Sequence, residues 1–130
     1  MDNITKNILA AVCAVGSFIL GEWCGHLTAL VALVVLDYIS GVAAAVIEKK
    51  VSSELGAKGI AKKIFMFFIV AVANIVDVNV IGEGHVLKTV TVAFYIANEC
   101  ISLIENAGRL GVPVPKKLLD VLKQLKDKEK

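Results

Sequence analysis

The chain is poor in the parts from which catalytic and metal sites are built. It has two histidines and three cysteines in 130 residues. Cys24, His26 and His85 lack the ligand spacing of a zinc site, and the odd cysteine count argues against a disulfide framework. Cys13 and Cys100 lie in apolar stretches and read as small packing residues. There is no Ser/His/Asp set. Gly56-Ala57-Lys58-Gly59 echoes a phosphate loop without its spacing or its hydroxyl residue. An enzyme and a metal or cofactor site are therefore not expected. No segment alternates cleanly between apolar and polar residues, which argues against a membrane β-barrel. Net charge is only +2 and says little by itself; the one basic loop, residues 48–63, is short and flanked by apolar sequence, so nucleic acid is not an expected partner.

What is abundant is apolar sequence, in four stretches: residues 8–20, 27–47, 64–81 and 86–104. The second holds one charge, Asp37, in 21 residues. About 20 apolar residues cross roughly 30 Å of hydrocarbon as a helix. In that solvent every backbone N–H and C=O must be paired within the segment. The expectation is an all-α integral membrane protein with four transmembrane helices, over about 4–20, 27–47, 62–81 and 86–104. The first is the shortest. A basic residue before a short apolar run also opens a secretory leader, but no small-residue cleavage site follows, and residues 22–26 suit cleavage poorly.

Charge placement orients the chain. Lys6 precedes the first stretch, and Lys49, Lys50, Lys58, Lys62 and Lys63 separate the second from the third. Arg109, Lys116, Lys117 and a Lys-rich end follow the fourth. The other two loops, 21–26 and 82–85, contain no Lys or Arg, and Lys88 stands just beyond the second of them. Basic short loops remain cytoplasmic. Both termini are accordingly expected in the cytoplasm, with Lys49, Lys50, Lys58, Lys62, Lys63, Lys116 and Lys117 forming a basic face against an anionic leaflet. Residues 1–108 then make a transmembrane domain and 109–130 a basic cytoplasmic helix and tail. Gly108, Gly111, Pro113 and Pro115 end the fourth helix. Pro115 suits the first position of a short amphipathic helix running to about Lys126, before a frayed end.

Polar residues inside the spans carry the functional signal. Asp37, Gly41 and Ala45 recur one turn apart, flanked by Ser40 and Ala44, and small residues so spaced let helices approach closely. Asn74 and Asp77 share a side of the third span. In the fourth, Lys88, Thr91, Tyr95, Asn98, Glu99 and Ser102 fall within an arc of about 100°. Such a stripe either bonds neighbouring helices or lines an aqueous path after assembly.

Leu36-Asp37-Tyr38-Ile39-Ser40-Gly41, Lys49-Lys50-Val51-Ser52-Ser53, Gly56-Ala57-Lys58-Gly59-Ile60-Ala61-Lys62-Lys63 and Gly111-Val112-Pro113-Val114-Pro115-Lys116-Lys117-Leu118 together resemble the phage-lysis and toxin-secretion holin family of Gram-positive bacteria and their phages. On that resemblance Asp37, Gly41, Gly56, Lys58, Gly59, Lys63, Pro113 and Pro115 occupy recurrent positions. It implies a multi-pass protein of the bacterial cytoplasmic membrane whose partners are the bilayer and its own copies. Its homo-oligomers form lesions that release an endolysin or a toxin, without necessary direct contact. The competing class is a small proton-coupled four-helix transporter of the multidrug-resistance type. That type places its essential acid in the first span, where this chain has none.

Overall fold

A computed structural model describes residues 2–23 and 25–129, with side chains described as far as Gln124. Cys24 and Lys130 lie outside the described residues, as do the side chains of the charged tail. The order is α1 (Asn3–Leu20), α2 (Gly25–Ile47), α3 (Ser53–Val76), a π-helical turn (Asp77–Ile81), α4 (Val86–Arg109) and α5 (Lys116–Glu129). Among the described residues there is no strand. The first four helices, α3 taken with its π turn, are each long and apolar enough to cross a membrane.

Local chemistry sets the ends. Asp2 caps α1 by accepting from the Thr5 N–H at 2.8 Å, and hydrogen bonding from Thr5, its side chain first and then its backbone, holds the Asp2 carboxyl below the usual range. α2 closes with Lys49 in the left-handed region, φ 58°, while the Lys50 N–H reaches back to the Ala45 carbonyl at 2.9 Å. Ser52 caps α3, and Glu54 in its first turn suits the positive end of the helix. Gly82, φ 85°, ends the π turn by donating to the Asp77 carbonyl. α4 stops at Gly111, φ 81°, with the Val112 N–H on the Ala107 carbonyl. Pro115, expected as the first helical residue, instead stands just before α5 and accepts from the Leu119 N–H.

All four spanning helices run past their apolar stretches, α3 and α4 furthest beyond the spans expected from sequence. α3 begins at Ser53, inside the region that reads as a basic loop. With its π turn it spans 29 residues, or about 43 Å. Roughly 30 Å suffices for hydrocarbon, so its first turns, with Lys58 and Lys62 exposed, extend past the apolar zone. α4 continues past 104 to Arg109. α5 is helical to Glu129, beyond the expected frayed end at 126.

The packing is centred on α4, which lies against α2 most extensively, then against α5, which folds back onto it, then against α3. α2 and α3 touch each other little, and among the described residues α1 packs chiefly on α3, with Leu20 at the edge of the core. Leu27, Leu30, Met66, Val70 and Val92 form the apolar core. The outer surface is more apolar still. Ile4, Phe18, Val35, Ile39, Phe65 and Val80 are all exposed, whereas Asp37, Asn74, Asp77, Lys88, Glu99 and Asn106 are buried. Hydrocarbon favours that inversion, because lipid tails solvate Leu and Val but not a carboxylate.

A buried polar lattice as the candidate functional site

The buried polar residues form two groups, one at each end of the bundle. At the end carrying the α2–α3 turn, Lys63 of α3 reaches inward. Its Nζ lies 2.7 Å from Asp37 Oδ2 on α2 and 2.9 Å from Glu99 Oε2 on α4. Three helices thus meet at one ammonium. Asn106 Nδ2 donates to Asp37 Oδ1 at 2.9 Å, to the Asp37 carbonyl at 3.2 Å and to Ser40 Oγ at 2.9 Å. Ser40 Oγ in turn donates to the Asp37 carbonyl. Arg109 Nη1 donates to Asn106 Oδ1, while its Nε and Nη2 grip Glu48 Oε1 at 3.1 and 2.6 Å. The guanidinium holds the Glu48 carboxyl below its usual range. The result is a continuous chain Glu99–Lys63–Asp37–Asn106–Arg109–Glu48, running from within the bundle to its basic end.

Gly41 faces this chain and leaves room beside Asn106 for no more than a small side chain. A Cβ there would stand 3.6 Å from Asn106 Nδ2. The Asp37–Gly41 face of α2 therefore receives α4 of the same chain. Ala44 on that face is fully buried, and Ser40 and Ala45 are partly so. Charge balance matters here. Asp37 and Glu99 share one lysine, and both carboxylates are at most 10% exposed. An unpaired charge in such surroundings costs several kcal/mol, on the order of 3–5 when one partner of a buried pair is removed.

The second group closes the other end. Asp77, in the π turn, accepts from the N–H groups of Leu87 and Lys88 at 3.1 and 2.8 Å, which satisfies the start of α4. Lys88 Nζ donates to the Glu22 carbonyl at 3.1 Å, and Asn74 Nδ2 donates to the Ile19 carbonyl at 3.0 Å. Both bonds secure the turn after α1. Gly21, φ 80°, is required there, since a Cβ would collide with Asn74 Oδ1.

The polar stripe of α4 is divided along its length. From Lys88 to Glu99 and Asn106 the helix turns back to nearly the same azimuth, within about 20°, and all three are buried. Tyr95, Asn98 and Ser102, on the stripe's other flank, are half-buried. With Lys62, Lys63 and Glu99 they line a crevice of about 390 Å³ between α3 and α4. Thr91 satisfies its hydroxyl on its own helix, at the Leu87 carbonyl.

Lys63 departs from the sequence expectation. It reads as part of the basic face, yet it turns inward because adjacent helical residues lie about 100° apart, and Lys62 takes the outward direction. Lys49, Lys50, Lys58, Lys62, Lys116 and Lys117 are exposed. Asn106, Arg109 and Glu48 were not legible as lattice members. The available signal was the seven-residue step from Glu99 to Asn106, two helical turns on one face. Among the described residues no cluster of three or more His, Cys, Asp or Glu is placed to hold a metal ion.

An apolar-surfaced bundle with a charged interior is thus established, and the comparisons with known proteins agree with it. The profile of the bacteriophage holin family matches residues 14–127. An uncharacterised protein of Halalkalibacterium halodurans is 40% identical, across 99% of this chain and 98% of its own length. An uncharacterised 14.9 kDa protein of Clostridium perfringens is 36% identical, across 99% and 100%. A probable holin of Bacillus phage phi105 is 36% identical, across 75% of this chain and 71% of its own. No solved structure matches. The chain belongs to the bacteriophage holin family.

Proposed function

We propose that the protein is a holin that inserts into the bacterial cytoplasmic membrane with both termini in the cytoplasm. There it accumulates, oligomerises and opens lesions through which an endolysin, or in a bacterial setting a toxin, leaves the cell interior. The observation that carries this reading is the division of the α4 stripe. Lys88, Glu99 and Asn106 are buried with hydrogen-bond partners inside the bundle, Glu99 ion-paired to Lys63, whereas Tyr95, Asn98 and Ser102 stand in a crevice open at the surface. The first set lets a single copy reside in lipid. The second is poorly solvated by hydrocarbon and gains from contact with another copy or with water. Association rises with membrane concentration, so a bundle harmless when dilute becomes permeabilising when crowded.

Family membership supports the same reading, as does the basic end formed by the α2–α3 turn and the end of α4. The test is controlled expression in a bacterium, following membrane potential with a dye and release of a cytoplasmic reporter enzyme. The expected result is a lag, then an abrupt collapse of potential with reporter release. A dissipation of proton gradient without reporter release would overturn it in favour of a transporter.

A further inference from the structure

We infer that the cleft between α2 and α3 is a binding site for one anionic phospholipid. Its phosphate would sit at the basic mouth, and one acyl chain would run along the apolar interior. This does not depend on lesion formation.

The cleft exists because α2 and α3 both pack on α4 yet barely touch each other. It contains two cavities. The one at the basic end is about 360 Å³, bordered by Tyr38, Lys50, Ser52, Gly56, Asn106 and Arg109 among others. The second, about 330 Å³, is walled by Val35, Ile39, Ile60, Ile64 and Phe67. Tyr38 and Lys63 border both, so the two adjoin. From Ile60 to Phe67 the apolar wall follows two turns of α3, about 10 Å. Polar mouth and apolar interior in one line match a phosphodiester and the start of its chain.

Charge favours an anion. The first cavity is lined by Lys50, Lys63 and Arg109 against one carboxylate, Asp37. Lys63 is committed to Asp37 and Glu99, and Arg109 to Glu48, though a guanidinium keeps further N–H donors. Lys50 makes no ion pair among the described residues. The left-handed turn at Lys49 delivers it to the cavity rim, beside the first turn of α3, whose free N–H groups carry positive character. Glycines make the room. A Cβ at Gly56 would press to 3.4 Å of the Tyr38 hydroxyl and one at Gly59 would touch the same ring. That hydroxyl makes no hydrogen bond among the described residues and can donate to a phosphate oxygen.

The experiment uses the full chain, purified and delipidated in detergent. Native mass spectrometry counts bound lipid and thermal unfolding reads its effect. Probes are dioleoylphosphatidylglycerol, dioleoylphosphatidylcholine and the soluble headgroup glycerophosphoglycerol. The expected result is one tightly held phosphatidylglycerol per chain with a saturable rise in melting temperature. Phosphatidylcholine and the headgroup alone should do markedly less. Lys50→Ala should weaken phosphatidylglycerol binding about fivefold, the effect of one basic residue at an anionic interface. Gly56→Leu should weaken it further by filling the cavity, with helical content and lipid-free melting measured to show that the variant folds. Lys58→Ala, on the exposed side of α3, should leave it unchanged.

Equal loss from Lys58→Ala would mean diffuse surface attraction and overturn the site. Equal binding of phosphatidylcholine or of the headgroup would overturn it too. Unchanged binding in Lys50→Ala would do the same whether or not Gly56→Leu folds. A change of oligomeric state in Gly56→Leu with lipid binding intact would assign the cleft to a second copy of the chain instead.

Discussion

Asn106 Nδ2 lies 2.9 Å from Asp37 Oδ1 and 3.2 Å from the Asp37 carbonyl, so one amide binds both the side chain and the backbone of α2 to α4. Lys63 then joins α3 to the same carboxylate. The contacts that tie α2, α3 and α4 together here are therefore polar, at a place where apolar contact alone gives little selectivity between helix and lipid.

Replacing Lys63 tests the balance of the lattice. Lys63→Met leaves Asp37 and Glu99 without their shared counter-ion. It should destabilise the bundle by about 3–5 kcal/mol, read as a lower melting temperature in detergent. Lys62→Met, one residue away but exposed, should change stability by less than about 0.5 kcal/mol. Equal effects from the two would mean that the inward turn of Lys63 contributes nothing.

Glu99 behaves differently, because its removal leaves a matched pair, Lys63 with Asp37. Glu99→Leu should make insertion easier by roughly 2–3 kcal/mol, giving equal or higher membrane levels. Permeabilisation should nonetheless weaken, since the crevice shared with Tyr95, Asn98 and Ser102 loses the carboxylate that α4 contributes to it. Glu99→Gln should retain much of the activity if hydrogen bonding suffices. Quantitative blotting of membranes and reporter release separate the two effects; full release by Glu99→Leu would show that the stripe serves only the bundle interior.

Gly41 lies in the α2–α4 contact, facing Asn106. Gly41→Ala adds a Cβ at an ordinary contact distance, 3.6 Å from Asn106, and should be tolerated. Gly41→Leu should force the helices apart and cost about 1–3 kcal/mol, with the loss appearing in the isolated chain before any change in oligomers. Cross-linking defects without loss of monomer stability would place this face between copies.

Topology is tested by single cysteines in a background without Cys13, Cys24 and Cys100. Cysteine at Ser52 or Lys123 should resist an impermeant thiol reagent in intact cells, and cysteine at Glu83 should react. The motive is the concentration of Lys and Arg at one end of the bundle. External labelling at Ser52 would reverse the orientation.

The sequence by itself determined the helix count, the apolar exterior, the separate amphipathic C-terminal helix and the family. These follow from hydropathy, loop charge and short motifs, which are properties of position along the chain. Asp37 and Glu99 were conspicuous for the same reason: a carboxylate amid apolar residues needs a partner wherever the helices go. Only the tertiary structure decided which partner. Lys63 belongs to a run of lysines that reads as one basic surface, and the rotation of α3 against α2 and α4 singles it out from Lys62. Asn106 lies beyond the apolar end of the fourth stretch, so no hydropathy argument reaches it, yet the length of α4 carries it to Gly41 and Asp37. Pairing depends on helix azimuth and on which helices are neighbours, and both are settled by packing between segments far apart in sequence.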